Sequence, residues 1–167
     1  MVQTLFFNLR SLGRRDLRDV LAIERASFSD AWSESDFDRV LQSPRTFAVV
    51  AELCEELCGY LIGEQEGGRV EVLNLCVAPL ARRRGLASSL VRRIARQLRG
   101  RQRLVTIVSE RNLPAQLFYR SQEFRAVTVL RRCWPAYGDD DAYLFEYRPG
   151  ERSAPFMPAN RIAAYLT

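Results

Sequence analysis

The sequence contains no histidine and no lysine, so all 25 basic residues are arginine. Without histidine, neither a Ser-His-Asp nor a Cys-His catalytic arrangement can form within the chain, and a general base must be Asp, Glu, Tyr, Cys or water. The same absence removes the commonest nitrogen ligand from any zinc site. The four cysteines do not form a spacing typical of secreted proteins, and we expect no metal site: Cys54, Cys58, Cys76 and Cys133.

Long hydrophobic runs are also missing. No apolar stretch reaches the roughly 18 residues that a membrane-spanning helix needs. The short run at residues 5–7 is followed by Arg10, Arg14 and Arg15, which is unlike a signal peptide. We therefore expect a cytoplasmic protein without a membrane partner. The length of 167 residues suits one domain, over residues 1–148, followed by a tail at 149–167 that carries a candidate short helix at 160–166.

The net charge of +5 is unevenly placed. The stretch from Arg82 to Arg103 holds nine arginines and no acidic residue. These arginines fall on a turn and on the polar side of an amphipathic helix, without interleaved aromatic residues. That pattern favours a solvated face with some phosphate contacts over direct nucleic-acid binding.

The most informative stretch of the chain runs from Val70 to Leu98. An apolar run ends at Ala78-Pro79, a turn with three arginines and Gly85 follows, and apolar residues then recur every fourth position. This pattern predicts strand, turn and helix. The first N–H groups of a helix lack intrahelical partners and its macrodipole is positive there, so the turn is suited to bind a phosphate.

The rest of the chain follows the same kinds of pattern. Ser33 and Asn112 are predicted N-caps of two helices, and a further helix is predicted at 14–28 with Phe28 facing inward. Leu113, Leu117 and Phe118 are available for packing on the helix after Asn112. Strands are predicted at 4–8, 46–53, 58–63, 70–77, 104–108, 126–130 and 143–147. The strand at 70–77, its helix and the strand at 104–108 form a parallel crossover in an otherwise antiparallel sheet.

Four stretches carry a resemblance to a known family. The spacing Arg82-x-x-Gly85-x-Ala87 resembles the pyrophosphate signature of the GNAT acetyltransferases. Asn112 stands seven residues before Tyr119, Trp32-Ser33 follows the first helix, and Asp141-Ala142 opens the last strand. Within that superfamily the chain looks most like the RimI-type N-alpha-acetyltransferases of ribosomal proteins. The resemblance implies an α/β (α+β) GNAT fold with a mixed, mostly antiparallel sheet of about seven strands, about four helices and splayed central parallel strands.

The resemblance also implies a site for acetyl-CoA as cosubstrate. Acetyl-CoA would lie between the splayed strands, Asn112 would hydrogen-bond its pantetheine arm, and Tyr119 would protonate the departing thiolate as general acid. Main-chain groups on the Val70 strand would pair with the pantetheine, and the basic turn would hold the pyrophosphate. The residues concerned are Leu75, Cys76 and Val77 on the strand, and Arg82, Arg83, Arg84, Gly85, Leu86, Ala87 and Ser88 on the turn.

The general base is the point at which the sequence departs from its relatives. RimI-type enzymes have a glutamate twelve residues before the tyrosine, and Ile107 stands there in this chain. Glu71 is the first candidate, since histone acetyltransferases of the superfamily place their base at the matching position, although it is also an ordinary edge charge. Asp30 is the second candidate and equally a turn residue. Glu123 stands where relatives have a glycine in the left-handed conformation.

Three functions remain compatible with these residues. The first is acetylation of the α-amino group of a protein or peptide, with a ribosomal protein as a candidate partner. The second is the same chemistry on a lysine, a polyamine or another small amine, to which the acidic Asp139, Asp140 and Asp141 would be suited. The third is an acyl-CoA-binding protein without catalysis, which the isoleucine at 107 and the arginine block would fit.

Overall fold

The computed structural model describes residues 7–133 and 140–150 of the chain. Within these residues it contains seven strands, four α-helices and two short 3-10 turns. The strands are β1 (Asn8–Ser11), β2 (Thr46–Leu53), β3 (Glu56–Glu66), β4 (Arg69–Val77), β5 (Arg103–Ser109), β6 (Arg125–Leu130) and β7 (Ala142–Tyr147). The helices are α1 (Leu17–Ser27), α2 (Glu34–Leu41), α3 (Leu86–Ala95) and α4 (Leu113–Ser121).

All seven strands belong to one sheet, in the order β1-β2-β3-β4-β5-β7-β6. Every neighbouring pair is antiparallel except β4 and β5, which are parallel and are joined through α3. The predicted mixed sheet and the crossover are therefore confirmed. The parallel pair lies at the centre of the sheet. It joins a four-stranded antiparallel part, β1 to β4, to a three-stranded antiparallel part that consists of β5, β7 and β6.

Two hydrophobic clusters cover the two faces of the sheet. One contains the apolar side of α3 together with Tyr119, Phe124 and Phe145. The other joins α1 and α2 to β2, β3 and Cys76 of β4. Burial of these side chains is the main favourable term in folding. The sheet consequently has an α3/α4 face and an α1/α2 face, and the candidate site involves both.

The local signals for the helices are mostly confirmed. Leu86, Leu90 and Ile94 are buried, as their fourfold spacing predicts. The Ser33 side chain accepts a hydrogen bond from the Asp36 N–H and so caps α2. Glu123 has a φ of 67°, the left-handed conformation that the resemblance implies.

The first strand was predicted one strand-length too early. It runs from Asn8 to Ser11, and not over residues 4–8, of which 4–6 lie outside the described residues. Its four residues pair with Val49 to Glu52 of β2. The Arg10 side chain holds this edge strand by hydrogen bonds to Asp16 and Glu52. Cross-strand pairing and the contacts of one arginine therefore fix the position of β1.

Three apolar side chains were wrongly expected to pack inward. Phe28 follows the last residue of α1 in an extended conformation and is 39% exposed. Leu113 and Leu117 are 57% and 53% exposed, because α4 buries Tyr119 instead. Helix α3 ends at Ala95, although Leu98 still packs against the core.

The candidate tail helix at 160–166 falls outside the described residues. Among the helices that the structure describes, none is both long and apolar enough to span a membrane.

Candidate active site

The two central strands separate from each other halfway along their length. Their parallel pairing runs from Arg69 opposite Arg103 to Val72 opposite Thr106. Beyond this point β4 continues to Val77 and β5 to Ser109, each paired only on its outer edge. The pairing of β4 with β3 shifts at the same place, which makes Leu73 a bulge residue. The result is a wedge-shaped gap between the strands, as the resemblance implies.

The direction of the main-chain groups along β4 follows from the ladder with β3. Ala78 donates its N–H to the Cys58 carbonyl at 2.8 Å. Hydrogen-bonded and non-bonded pairs alternate in an antiparallel ladder, so Cys76 is bonded to β3 and its two neighbours are not. The main-chain groups of Leu75 and Val77 therefore face the gap and can pair with an extended ligand arm.

The turn before α3 presents unpaired N–H groups to solvent. Arg83 and Gly85 both have positive φ, at 64° and 87°. The first hydrogen bond of the helix is the one from Ser89 N–H to the Gly85 carbonyl, so the N–H groups of residues 86–88 have no intrahelical acceptor. Successive N–H groups in such a conformation form a concave anion site. This turn therefore fits the pyrophosphate of a nucleotide cosubstrate.

The three arginines of the turn differ in their contacts and exposure. The Arg82 guanidinium donates to the Val77 carbonyl at 3.1 Å and to the Ser27 hydroxyl at 3.0 Å. It therefore ties the end of β4 to the end of α1. Arg83 and Arg84 are exposed beside the unpaired N–H groups, where their charges favour a bound phosphate.

Tyr119 lies beside the point at which the strands separate. It is 5% exposed and packs against Phe118 and Phe124, each with its ring centroid at 5.1 Å. Burial raises the pKa of Tyr119 to about 12, against a smaller lowering by a hydrogen bond with Thr106. The phenol is therefore protonated at neutral pH and can serve as a donor. Thr106 is the last residue of β5 that pairs with β4.

Asn112 caps the helix that carries Tyr119. Its side-chain oxygen accepts the Ala115 N–H at 3.1 Å, and its own N–H bonds the Ser109 carbonyl at the end of β5. The cap uses only the oxygen of the carboxamide, so the NH₂ group is the part suited to a ligand. The predicted cap is confirmed, and the contact with pantetheine stays a prediction.

The structure does not bring the two candidate bases next to Tyr119. Glu71 alternates along β4 with Val70 and Val72, which pack in the cluster of Tyr119, so its side chain points to the other face. Its carboxylate pairs with Arg69 at 2.5 Å. Asp30 is exposed in the turn between α1 and α2.

One buried acid was missed at the sequence level. Glu24 is 1% exposed, and its carboxylate accepts hydrogen bonds from the Trp32 N–H at 2.9 Å, from Asn74 Nδ2 at 3.2 Å and from the Tyr60 hydroxyl. The signal was available, because Glu24 continues the apolar spacing of Leu17, Val20 and Leu21 along α1. A charged residue in such a stripe is unusual, and a functional or structural reason for it is expected.

Cys76 lies beside this acid and is not a nucleophile. It is 3% exposed, and burial raises the pKa of its thiol above the ordinary value. A buried, protonated thiol is inert. The function of the β4 segment around it therefore depends on main-chain groups and on charge, and not on covalent chemistry at Cys76.

A splayed parallel pair beside an anion-binding turn and a buried tyrosine defines a transferase that uses an acyl-CoA. The chain matches the model of the acetyltransferase (GNAT) family over residues 17–124 and belongs to that family. It is 29% identical over 127 residues to an acetyltransferase of Pectobacterium atrosepticum, covering 73% of this chain and 90% of that protein. The protein is thus an acetyl-CoA-dependent acetyltransferase.

Solved structures of other proteins superpose on the fold of this chain. The ribosomal-protein-S18-alanine N-acetyltransferase of Escherichia coli superposes with a TM-score of 0.78 at 24% identity, covering 90% of this chain and 98% of that one. Arabidopsis thaliana NAA60 in complex with acetyl-CoA gives a TM-score of 0.74 at 22% identity, with coverages of 86% and 99%. These similarities establish the seven-stranded sheet with four helices as a GNAT fold.

Proposed function

We propose that the enzyme acetylates the N-terminal α-amino group of a protein or peptide in the cytoplasm, with a ribosomal protein as the first candidate acceptor. The observation that carries this proposal is the likeness of the whole described fold to the S18-alanine N-acetyltransferase, which extends over 98% of that chain. The acceptor comes to this chain from that likeness. The chemistry described next rests on residues of this chain.

Binding of the cosubstrate is assigned to three places. The N–H groups at the start of α3, with Arg83 and Arg84, hold the pyrophosphate. Main-chain groups of Leu75 and the N–H of Val77 hold the pantetheine along the free edge of β4, since the Val77 carbonyl already accepts from Arg82. Asn112 donates its side-chain NH₂ to the same arm from the other side of the gap. These residues place the thioester near Tyr119, at the apex of the gap.

In the reaction, the amine nitrogen bonds to the acetyl carbon, the carbon–sulfur bond breaks and the nitrogen loses a proton. The N–H of Leu75 or Val77 stabilises the developing oxyanion. Tyr119, which we assign as the general acid, donates to the departing sulfur. A thiol has a pKa of about 8.5, below the value of about 12 for Tyr119. The phenol therefore acts mainly as a hydrogen-bond donor in the transition state and is rapidly reprotonated after any transfer.

Deprotonation of the acceptor amine does not require a strong general base. An α-amino group has a pKa of about 8, so an appreciable fraction is already neutral at physiological pH. Glu71 stays our first candidate for the base and Asp30 the second. Since neither lies beside Tyr119, each would take the proton through a water molecule.

Two of the three acids that suggested a small cationic acceptor are engaged in ion pairs, and the third, Asp139, lies outside the described residues. Asp140 pairs with Arg111 at 2.5 Å, and Asp141 pairs with Arg131. Their charges are thereby largely neutralised for any incoming amine. We therefore place peptide N-termini ahead of polyamines and lysines.

Mass spectrometry tests this proposal directly. The enzyme is incubated with acetyl-CoA and three acceptor sets: peptides with free N-termini, N-blocked peptides containing lysine, and polyamines. We expect acetylation of free N-termini only. Preferential modification of lysines or polyamines would mean that one of these amines, and not a peptide N-terminus, is the acceptor. Tight acetyl-CoA binding without transfer to any set would instead indicate a binding protein.

A further inference from the structure

The Glu24 carboxylate is held by donors from three separate elements. They are the Trp32 N–H in the α1–α2 connection, the Tyr60 hydroxyl in β3 and the Asn74 amide in β4. Burial and the neighbouring Glu24 raise the pKa of Tyr60 well above its ordinary value, so the phenol stays the donor. Among the ion pairs of the described residues, none includes Glu24.

A purely structural role as a hydrogen-bond acceptor does not account for a charged side chain at position 24. A glutamine has nearly the same shape: its oxygen can accept from Trp32 and Asn74, and its NH₂ group can donate to the Tyr60 oxygen. A carboxylate without an ion pair is more costly to bury than this amide. The negative charge itself therefore needs a reason beyond packing.

We find that reason in the position of Glu24 relative to the gap between β4 and β5. Asn74, which donates to Glu24 at 3.2 Å, lies in the part of β4 beyond the ladder with β5. Cys76, two residues further along β4, packs in the hydrophobic cluster of α1 and α2. This cluster lies on the sheet face opposite the cluster that contains Tyr119. The carboxylate is thus one side-chain layer beneath the gap, on the α1/α2 face.

The acceptor is expected on that same face. The anion-binding turn lies at the start of α3, and α3 and α4 cover the other face. A cosubstrate bound at this turn enters the gap from the α3/α4 side. The amine must then approach from the α1/α2 side, where Glu24 supplies a negative potential.

We propose that Glu24 is a positioning residue of the acceptor site, whose buried negative charge favours an amine that arrives as an ammonium ion and becomes cationic again as it attacks. The inference rests on the proposed function, because it concerns the acceptor of that reaction. The charge acts through space and through Asn74, and Glu24 itself does not touch the acceptor.

The test compares Glu24→Gln with Tyr60→Phe, which keeps the charge and removes one donor. For Glu24→Gln we expect kcat/KM for a free-N-terminus peptide to fall at least tenfold, with the KM for acetyl-CoA unchanged and the Tm within a few degrees of wild type. Tyr60→Phe should stay within threefold of wild type. The control is Asp16→Asn, which alters another buried carboxylate, 5% exposed, that bonds Arg10 of β1. Wild-type acceptor kinetics in Glu24→Gln, or an equal loss in Asp16→Asn, would overturn the inference.

A second measurement needs no variant of Glu24. Two peptide inhibitors are compared on the wild-type enzyme, one with an N-terminal trimethylammonium group and one with the neutral tert-butyl isostere. We expect the cationic peptide to inhibit at least fivefold more tightly. Equal inhibition by both would refute a role for the charge, even if peptides are acetylated. Absence of any peptide acetylation by the wild type would refute the proposed function instead.

Discussion

The Thr106 hydroxyl donates a hydrogen bond to the Val72 carbonyl at 3.2 Å, across the last paired position of β4 and β5. Both residues are buried, and the strands separate directly beyond them. This contact therefore closes the apex of the gap in which we place the thioester. It also brings the Thr106 side chain next to Tyr119.

Replacing Thr106 by valine removes this bond at nearly constant volume. We expect the free energy of unfolding to fall by about 1 kcal/mol, the usual net value of a buried hydrogen bond. Urea denaturation measures the change. The same exchange at Thr128, which is exposed on β6, should leave the stability within about 0.5 kcal/mol. Equal effects at both positions would mean that the bond at the apex contributes nothing.

The ion pair between Asp16 and Arg10 predicts a pH-dependent difference in stability. Hydrogen bonds from Arg10 lower the pKa of Asp16 below its ordinary value. A lowered pKa stabilises the folded state above the unfolded pKa of about 3.9. This contribution is lost as the pH falls through the folded pKa.

We therefore expect Asp16→Asn to reduce the stability by about 2 kcal/mol at pH 7, the usual value for hydrogen bonds to a charged group. Its difference from wild type should shrink steadily below about pH 4. Asp19→Asn, an exposed site on α1, makes the same change in net charge and should show no such trend. A wild-type difference that is constant down to pH 2 would contradict the assignment.

Much of the fold could be predicted because its signals are local. The spacing of Leu86, Leu90 and Ile94 shows the buried face of α3, and a serine with an acid three residues later identifies the start of α2. The glycine-containing turn also predicted the start of α3, where the first N–H groups have no intrahelical acceptor. In each case, residues within one or two turns of the chain determine the structure.

What could not be predicted depends on residues far apart in the sequence. Glu24 meets Asn74 fifty residues later, and Arg10 meets Glu52 across 42 residues. The pairing of Glu71 with Arg69 was missed although the two are close in sequence, because alternation along β4 says nothing of side-chain partners. Local patterns thus identify helices and turns, whereas the polar contacts of the site require the assembled sheet.

Glu123 offers a test of backbone strain. A non-glycine residue with a φ of 67° is strained by about 1 kcal/mol. Glycine would relieve that strain but has more freedom in the unfolded chain. We expect Glu123→Gly to gain about 0.5 kcal/mol in a urea titration. Gln122→Gly, at a φ of −95°, should lose stability, and a loss of the same size at Glu123 would show that its conformation is not costly.

The arginines of the turn predict a selective loss of cosubstrate affinity. Replacing Arg83 and Arg84 together by glutamine should raise the Kd for acetyl-CoA about tenfold, because two exposed charge-assisted contacts are lost. Calorimetry measures this change. The matched control replaces Arg92 and Arg93, also exposed and on the polar side of α3. Equal losses in the two double variants would indicate a general electrostatic effect of net charge rather than a site at the turn.

Tyr119 is the residue on which the proposed chemistry depends most directly. If its hydroxyl donates to the departing sulfur, Tyr119→Phe should lower kcat by about 100-fold, within the usual range for general acid catalysis. The KM for acetyl-CoA should stay within about threefold, because the donor acts in the transition state. Single-turnover acetylation of a free-N-terminus peptide measures the chemical step.

The matched control is Tyr147→Phe, since Tyr147 packs on Phe124 in the same cluster. It removes the same atom and should leave kcat nearly unchanged. A purely structural Tyr119 would show the opposite pattern, with equal small losses in both variants. The raised pKa makes one further outcome informative. A phenol with a pKa of about 12 stays almost fully protonated between pH 7 and 10, so kcat should show no decrease from Tyr119 ionisation in that range. A decrease that disappears in Tyr119→Phe would show that the tyrosine ionises there instead.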